Sequence, residues 1–92
     1  MIHELTKARV AFVRSLRDKR YRDESGLFVA EGVKLVGDLI AGGMEAEAVY
    51  VTGDASLPVP AERISPAVMA RMSHLKSPSP VLAVMRKREA KP

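Results

Sequence analysis

The stretch Arg17–Gly43, RDKRYRDESGLFVAEGVKLVGDLIAGG, decides how this chain is organised. It begins with a basic arm, Arg17, Lys19, Arg20, Tyr21 and Arg22. Leu27, Phe28, Val29 and Ala30 follow as a short apolar run, the pattern of a strand buried on both faces. Glu31-Gly32 then opens an amphipathic helix, Val33 to Ala41, and Gly42-Gly43 closes it. A cationic arm feeding a strand, and a strand delivering Glu-Gly to a helix N-terminus, make a frame suited to gripping a nucleic-acid backbone.

Upstream, residues 5–18 carry Leu5, Ala8, Phe12, Val13 and Leu16 at helical spacing, with Lys7, Arg14 and Arg17 on another side. Thr6 is placed to cap this helix, unless it starts a few residues earlier. Val10 lies off the stripe, so the helix is expected to touch neighbours on two sides. Residues 19–26 read as a polar loop, with Asp23 and Glu24 available to pair with Arg20 or Arg22. In the helix 33–41 the expected buried face is Val33, Val36, Leu39 and Ile40, with Leu35 beside them and Lys34–Asp38 as a surface i,i+4 pair. Downstream come a strand at Glu47–Thr52, a Gly/Pro-punctuated loop at 53–60 and a short strand at Glu62–Ile64. Ser65-Pro66 is a helix start, Ser as N-cap and Pro in the first turn, for a stripe of Val68, Met69, Met72 and Leu75. Residues 73–80 read as loop, Val81–Met85 as a last buried strand, and 86–92 as a basic tail or linker. This alternation predicts an α/β fold, a three-layer α/β/α sandwich around a small parallel or mixed sheet.

Ninety-two residues make one small domain. The absence of cysteine excludes disulfides, thiolate metal sites and cysteine nucleophiles. Met1–Thr6 has no apolar signal core and no run is long enough to span a bilayer, so the cytoplasm is the expected compartment. The net charge of +4 is uneven: residues 1–22 hold seven basic and two acidic side chains, a net +5, and the remainder is close to neutral. A local positive field is the footprint of a polyanionic partner, although a solvated basic helix has the same composition.

No catalytic residue stands out. His3 and His74 lack the neighbours of a nucleophile–base pair or a metal-ligand set, and both read as exposed histidines. The glycines match neither G-x-G-x-x-G nor the P-loop. Glu31 at a helix start has two readings. It either caps the helix or pairs with Lys34 or an arm arginine, or it accepts from a ribose hydroxyl or base amino group. Arg17, Lys19, Arg20 and Arg22 suit phosphate contacts, and Tyr21 suits stacking on an unpaired base. Phe12, Phe28 and Tyr50 fall on core stripes.

Lys19, Arg20, Arg22, Phe28, Glu31, Gly32 and Lys34, followed by Ser77-Pro78 and the run Val81–Val84, resemble the N-terminal substrate-binding domain of SpoU-type (SPOUT-class) RNA 2′-O-ribose methyltransferases. The resemblance implies a ribosomal-protein L30-like fold and a division into an RNA-binding domain, 1–85, and an interdomain linker, 86–92. It implies structured rRNA or tRNA as partner, met by Arg14, Arg17, Lys19, Arg20, Tyr21, Arg22, Glu31, Gly32, Lys34 and Lys76. Methyl transfer in that family occurs in a separate knotted C-terminal domain that binds S-adenosylmethionine and usually dimerises. This chain is therefore expected to be the front part of such an enzyme, with no cofactor of its own. Ser79-Pro80 stands where the family has a Gln-Gly-like pair, and Pro80 removes a backbone donor there. The competing expectations are a stand-alone L30-like binder of structured RNA and a protein-interaction domain.

Overall fold

The computed structural model describes residues 5–87. Its elements run α1 (Lys7–Ser15), α2 (Lys19–Ser25), β1 (Leu27–Glu31), α3 (Val33–Ala41), β2 (Ala46–Val51), β3 (Glu62–Arg63), α4 (Pro66–Met72) and β4 (Val81–Arg86). The strands form one sheet in the order β1-β4-β2-β3, with β4 antiparallel to both neighbours and β2 parallel to β3. The sheet is thus mixed. The last strand in sequence takes a central place, which is why Val81–Met85 are all buried.

Strand alternation sorts the core into two layers. Leu82 and Val84 of β4 face α1 and α4, joining Val10, Val13, Leu16, Met69 and Met72. Val81, Ala83 and Met85 face the opposite way, with Val36 of α3 and the half-buried Leu39 and Ile40. Helices on both faces complete the expected three layers. In β2 the pairing slips between Ala46 and Ala48. Such a bulge inverts the side-chain parity. Ala46 therefore lies on the α3 side with Val49 and Val51, whereas Ala48 and Tyr50 lie on the α1 side.

Several boundaries differ from expectation, each for a local reason. Residues 19–25 are helical rather than loop: Asp18 accepts from the Arg20 backbone N–H at 2.9 Å, and Gly26, at φ 71°, supplies the left-handed residue that ends the helix. Asp23 pairs with Lys19 and Lys87, not with Arg20 or Arg22. In α1, Thr6 caps as expected, and Val10, expected off the stripe, is buried beside Val13 and Leu16. Val33, assigned to the buried face of α3, is half exposed in its first turn. Leu75 lies beyond the end of α4 and is also half exposed. Strand β4 continues through Arg86, and the Lys87 backbone donates to Gly26 at 2.8 Å, so the first residues expected in the tail are tied to the sheet. His3 and residues 88–92 of that tail lie outside the described residues.

Candidate nucleic-acid interface

The C-terminal end of α1 is the hub of the candidate site. A helix end leaves backbone carbonyls without intrahelical partners and carries a partial negative charge. Here those carbonyls draw in donors from two other segments. Arg22 of α2 donates through Nη1 to Leu16 O at 3.0 Å and to Arg17 O at 2.6 Å. His74 Nε2 lies 3.1 Å from Val13 O. A carbonyl only accepts, so Nε2 carries the hydrogen. Arg14, in the last turn of α1, donates to Arg71 O at 2.7 Å, and Arg71 itself sits in the last turn of α4. Two helix ends therefore meet, tied by Arg14, Arg22 and His74; Arg17 and Arg71 lend backbone carbonyls to these bonds, and Lys76 follows two residues after His74. Arg17 and Lys76 are exposed, and no side-chain partner is found for either among the described residues.

The remaining arm residues continue from this hub along α2. The Lys19 ammonium is held by Asp23 at 2.6 Å. The Arg20 guanidinium stacks 5.6 Å from the centroid of the exposed Tyr21 ring. Lys19 and Lys87 hold the exposed Asp23 carboxyl well below its ordinary range, at about 2. The positive surface of α2 is thus partly neutralised from within, whereas Arg17 keeps its charge free.

Glu31 neither caps α3 nor pairs with Lys34 or an arm arginine; its carboxylate bonds within the domain instead. Strand parity places it on the α1/α4 side with Leu27 and Val29. There Oε1 accepts from Ser73 Oγ at 2.5 Å and Oε2 from the His74 backbone N–H at 2.8 Å. Ser73 is buried, 4% exposed, and its Oγ also accepts from Leu75 N at 3.0 Å. Gly32 takes a φ of 112°, which side chains other than glycine's avoid, while its N–H bonds Val81 O. Lys34 stands apart from the hub. It projects from α3, on the far side of the sheet, 91% exposed and 3.2 Å from Asp38.

His74 and Arg71 are the members that sequence reasoning did not find. His74, taken as an exposed histidine, is half buried and bonded at both its backbone and its ring. Arg71 carried a cue, as a cation in the last turn of a capped helix, but nothing to tie it to α1. A second unforeseen constellation seats α1 on the sheet. Arg9 donates to Tyr50 Oη at 2.8 Å and to Glu47 at 2.5 Å, with its guanidinium 5.2 Å from the Phe12 ring centroid. Burial acts to lower the Arg9 pKa, but the bonds to Glu47 and Tyr50 outweigh it, and the net shift is upward. Among the described residues no three metal-ligating side chains gather, and no helix is long and apolar enough to cross a membrane.

The model of the MRM3-like substrate binding domain matches residues 7–83. Similar solved structures include a protein assigned to the TrmH family of RNA methyltransferases from Porphyromonas gingivalis, 28% identical with a TM-score of 0.75 over 91% of this chain. An RNA 2′-O ribose methyltransferase superposes with a TM-score of 0.79 over 98% of this chain at 21% identity. The SpoU methyltransferase AviRb from Streptomyces viridochromogenes, solved in complex with AdoMet, superposes with a TM-score of 0.74 over 91% at 20% identity. This chain spans 36%, 38% and 37% of those three chains, respectively. A comparison with curated protein sequences gives no match.

Proposed function

Since the chain belongs to the MRM3-like substrate binding domain family, we propose that it is the RNA-recognition part of a SpoU/TrmH-type ribose methyltransferase, gripping structured rRNA or tRNA through the joined ends of α1 and α4. The observation that carries this reading is the meeting of two helix ends tied by Arg14, Arg22 and His74, with Arg17, Arg71 and Lys76 exposed on the adjoining chain. Cations there stabilise the helix ends, but Arg17 and Lys76 do no such bonding in this fold and remain available to phosphates. Few aromatic side chains are exposed, so recognition rests on backbone and shape, with Tyr21 as the one stacking candidate. Methyl transfer, S-adenosylmethionine and any dimer contact belong in this reading to the rest of a longer, cytoplasmic protein, as does the L30-like kinship implied by the sequence.

Anisotropy titration of a labelled RNA hairpin tests the reading. Arg17→Ala and Lys76→Ala should each weaken binding and flatten the log–log salt dependence by about 0.7–0.9, the share of one phosphate. Lys34→Ala, on the far layer, should leave both unchanged. Equal losses from Lys34→Ala and Arg17→Ala would place the contact surface elsewhere.

A further inference from the structure

The Glu31 carboxylate spends both oxygens on one short segment, Ser73 and His74. That segment is itself fastened to α1 by the His74 ring and to α4 by the Ser73 N–H on Met69 O at 2.9 Å. Beyond Leu75 it carries Lys76 and runs as irregular chain to β4. Apart from the bonds at residues 73–75, it is fixed only at its far end, where Ser79 Oγ accepts from Val81 N at 3.2 Å and Pro80 O from the Thr52 N–H at 2.9 Å. Leu75 is half exposed and anchors little. Lys76 lies between these two anchorages and nearer the first, so its position depends chiefly on what holds Ser73 and His74. The acceptor lies 42 residues away at the end of an edge strand, where a carboxylate on a basic surface otherwise opposes anion binding.

We propose that Glu31 is a positioning residue: its carboxylate latches the Ser73–Pro80 segment across the ends of α1 and α4 and so holds Lys76 where the surface meets RNA phosphates. This rests on the RNA reading above and adds to it a device within that surface. Glu31 touches no RNA in this account and acts only through the segment that it holds. Its two charge-assisted bonds replace a mobile loop by a fixed one, which lowers the ordering cost of binding.

The test combines amide hydrogen exchange with RNA titration on the purified chain. In Glu31→Ala the His74 and Leu75 amides should exchange at least about tenfold faster, while those of Leu82–Val84 keep their protection. RNA affinity should fall by several fold, and Lys76→Ala should then cost little more, because an unheld Lys76 contributes little. Ser73→Ala, which removes one of the two bonds, should show the same changes in weaker form, and it serves also if Glu31→Ala does not fold. Glu31→Gln, which keeps an acceptor for the His74 N–H, should restore most of the affinity. Unchanged exchange at His74, or a Lys76→Ala loss as large in Glu31→Ala as in the parent, overturns the latch while leaving RNA recognition standing. If the parent chain itself binds no hairpin at low salt, the RNA reading fails, and the latch fails with it. The exchange data then report Glu31 as a purely structural tie.

Discussion

Removing the Arg9 guanidinium should unseat α1, and the size of the effect follows from its surroundings. Arg9 and Glu47 are 26% and 28% exposed, so the pair is neither at the surface nor fully desolvated. Exposed ion pairs contribute roughly 0–1 kcal/mol, and hydrogen bonds to charged groups about 1.5–3 kcal/mol. A site three-quarters shielded lies between, so the Arg9–Glu47 coupling should be about 1–2 kcal/mol. A double-mutant cycle isolates it: parent, Arg9→Met, Glu47→Gln and the double variant, unfolded in urea and followed by circular dichroism. Arg9→Met keeps much of the packing against Phe12 while deleting the charge and the bond to Tyr50 Oη. With a urea dependence of roughly 1 kcal/mol per molar for so small a domain, the midpoint of Arg9→Met should drop by about 1–2 M. Raising the salt should shrink the coupling only slightly, since shielded pairs are screened less than exposed ones. A coupling below about 0.3 kcal/mol, the level at which independent sites add, would refute the idea that this pair seats α1.

Two further outcomes check other parts of the structure. Gly32→Ala should cost about 1–3 kcal/mol, because an added Cβ there meets no atom within 4 Å yet the φ of 112° is reserved for glycine. Gly37→Ala, equally free of contacts but inside α3, should stabilise by about 0.5–1 kcal/mol; like effects at the two positions in thermal unfolding would contradict this. The Asp23 carboxyl, depressed to about 2 by Lys19 and Lys87, lends stability that is complete above its ordinary 3.8 and is lost as the pH falls through about 2. A carbon-13 titration should find its midpoint near 2 at low salt, rising toward 3.8 in molar salt; a midpoint of 3.8 at low salt would show that the ion pairs do not form.

The parts of the fold that the sequence makes legible are those with a local signal. Leu27–Ala30 and Val81–Met85 are unbroken apolar runs, and both are strands. Ser65-Pro66 caps α4 through Ser65 Oγ and Val68 N at 3.2 Å. Helix α2 escaped because RDKRYRDES has no apolar period. It is held by its ends, and the pair of signals at Asp18 and Gly26 was present but outweighed by polar composition. The candidate site divides in the same way. The basic arm is visible in composition, and the face of Glu31 follows from its two-residue steps from Leu27 and Val29. Its partners do not, because Ser73 and His74 are 42 and 43 residues away and depend on where α4 stops. His74 looked isolated for the same reason: its acceptor, Val13 O, is a backbone atom 61 residues earlier, which no side-chain motif reveals.

The central claim is that RNA phosphates meet the surface where α1 and α4 end. It is tested most directly by the salt dependence of RNA binding for the parent chain and for the combined variant Arg17→Gln and Lys76→Gln. The slope of log affinity against log salt should be shallower by about 1.4–1.8 in the variant, the release of two phosphate contacts at 0.7–0.9 each, with the urea midpoint of the domain little changed. An identical slope in the two proteins would contradict the account.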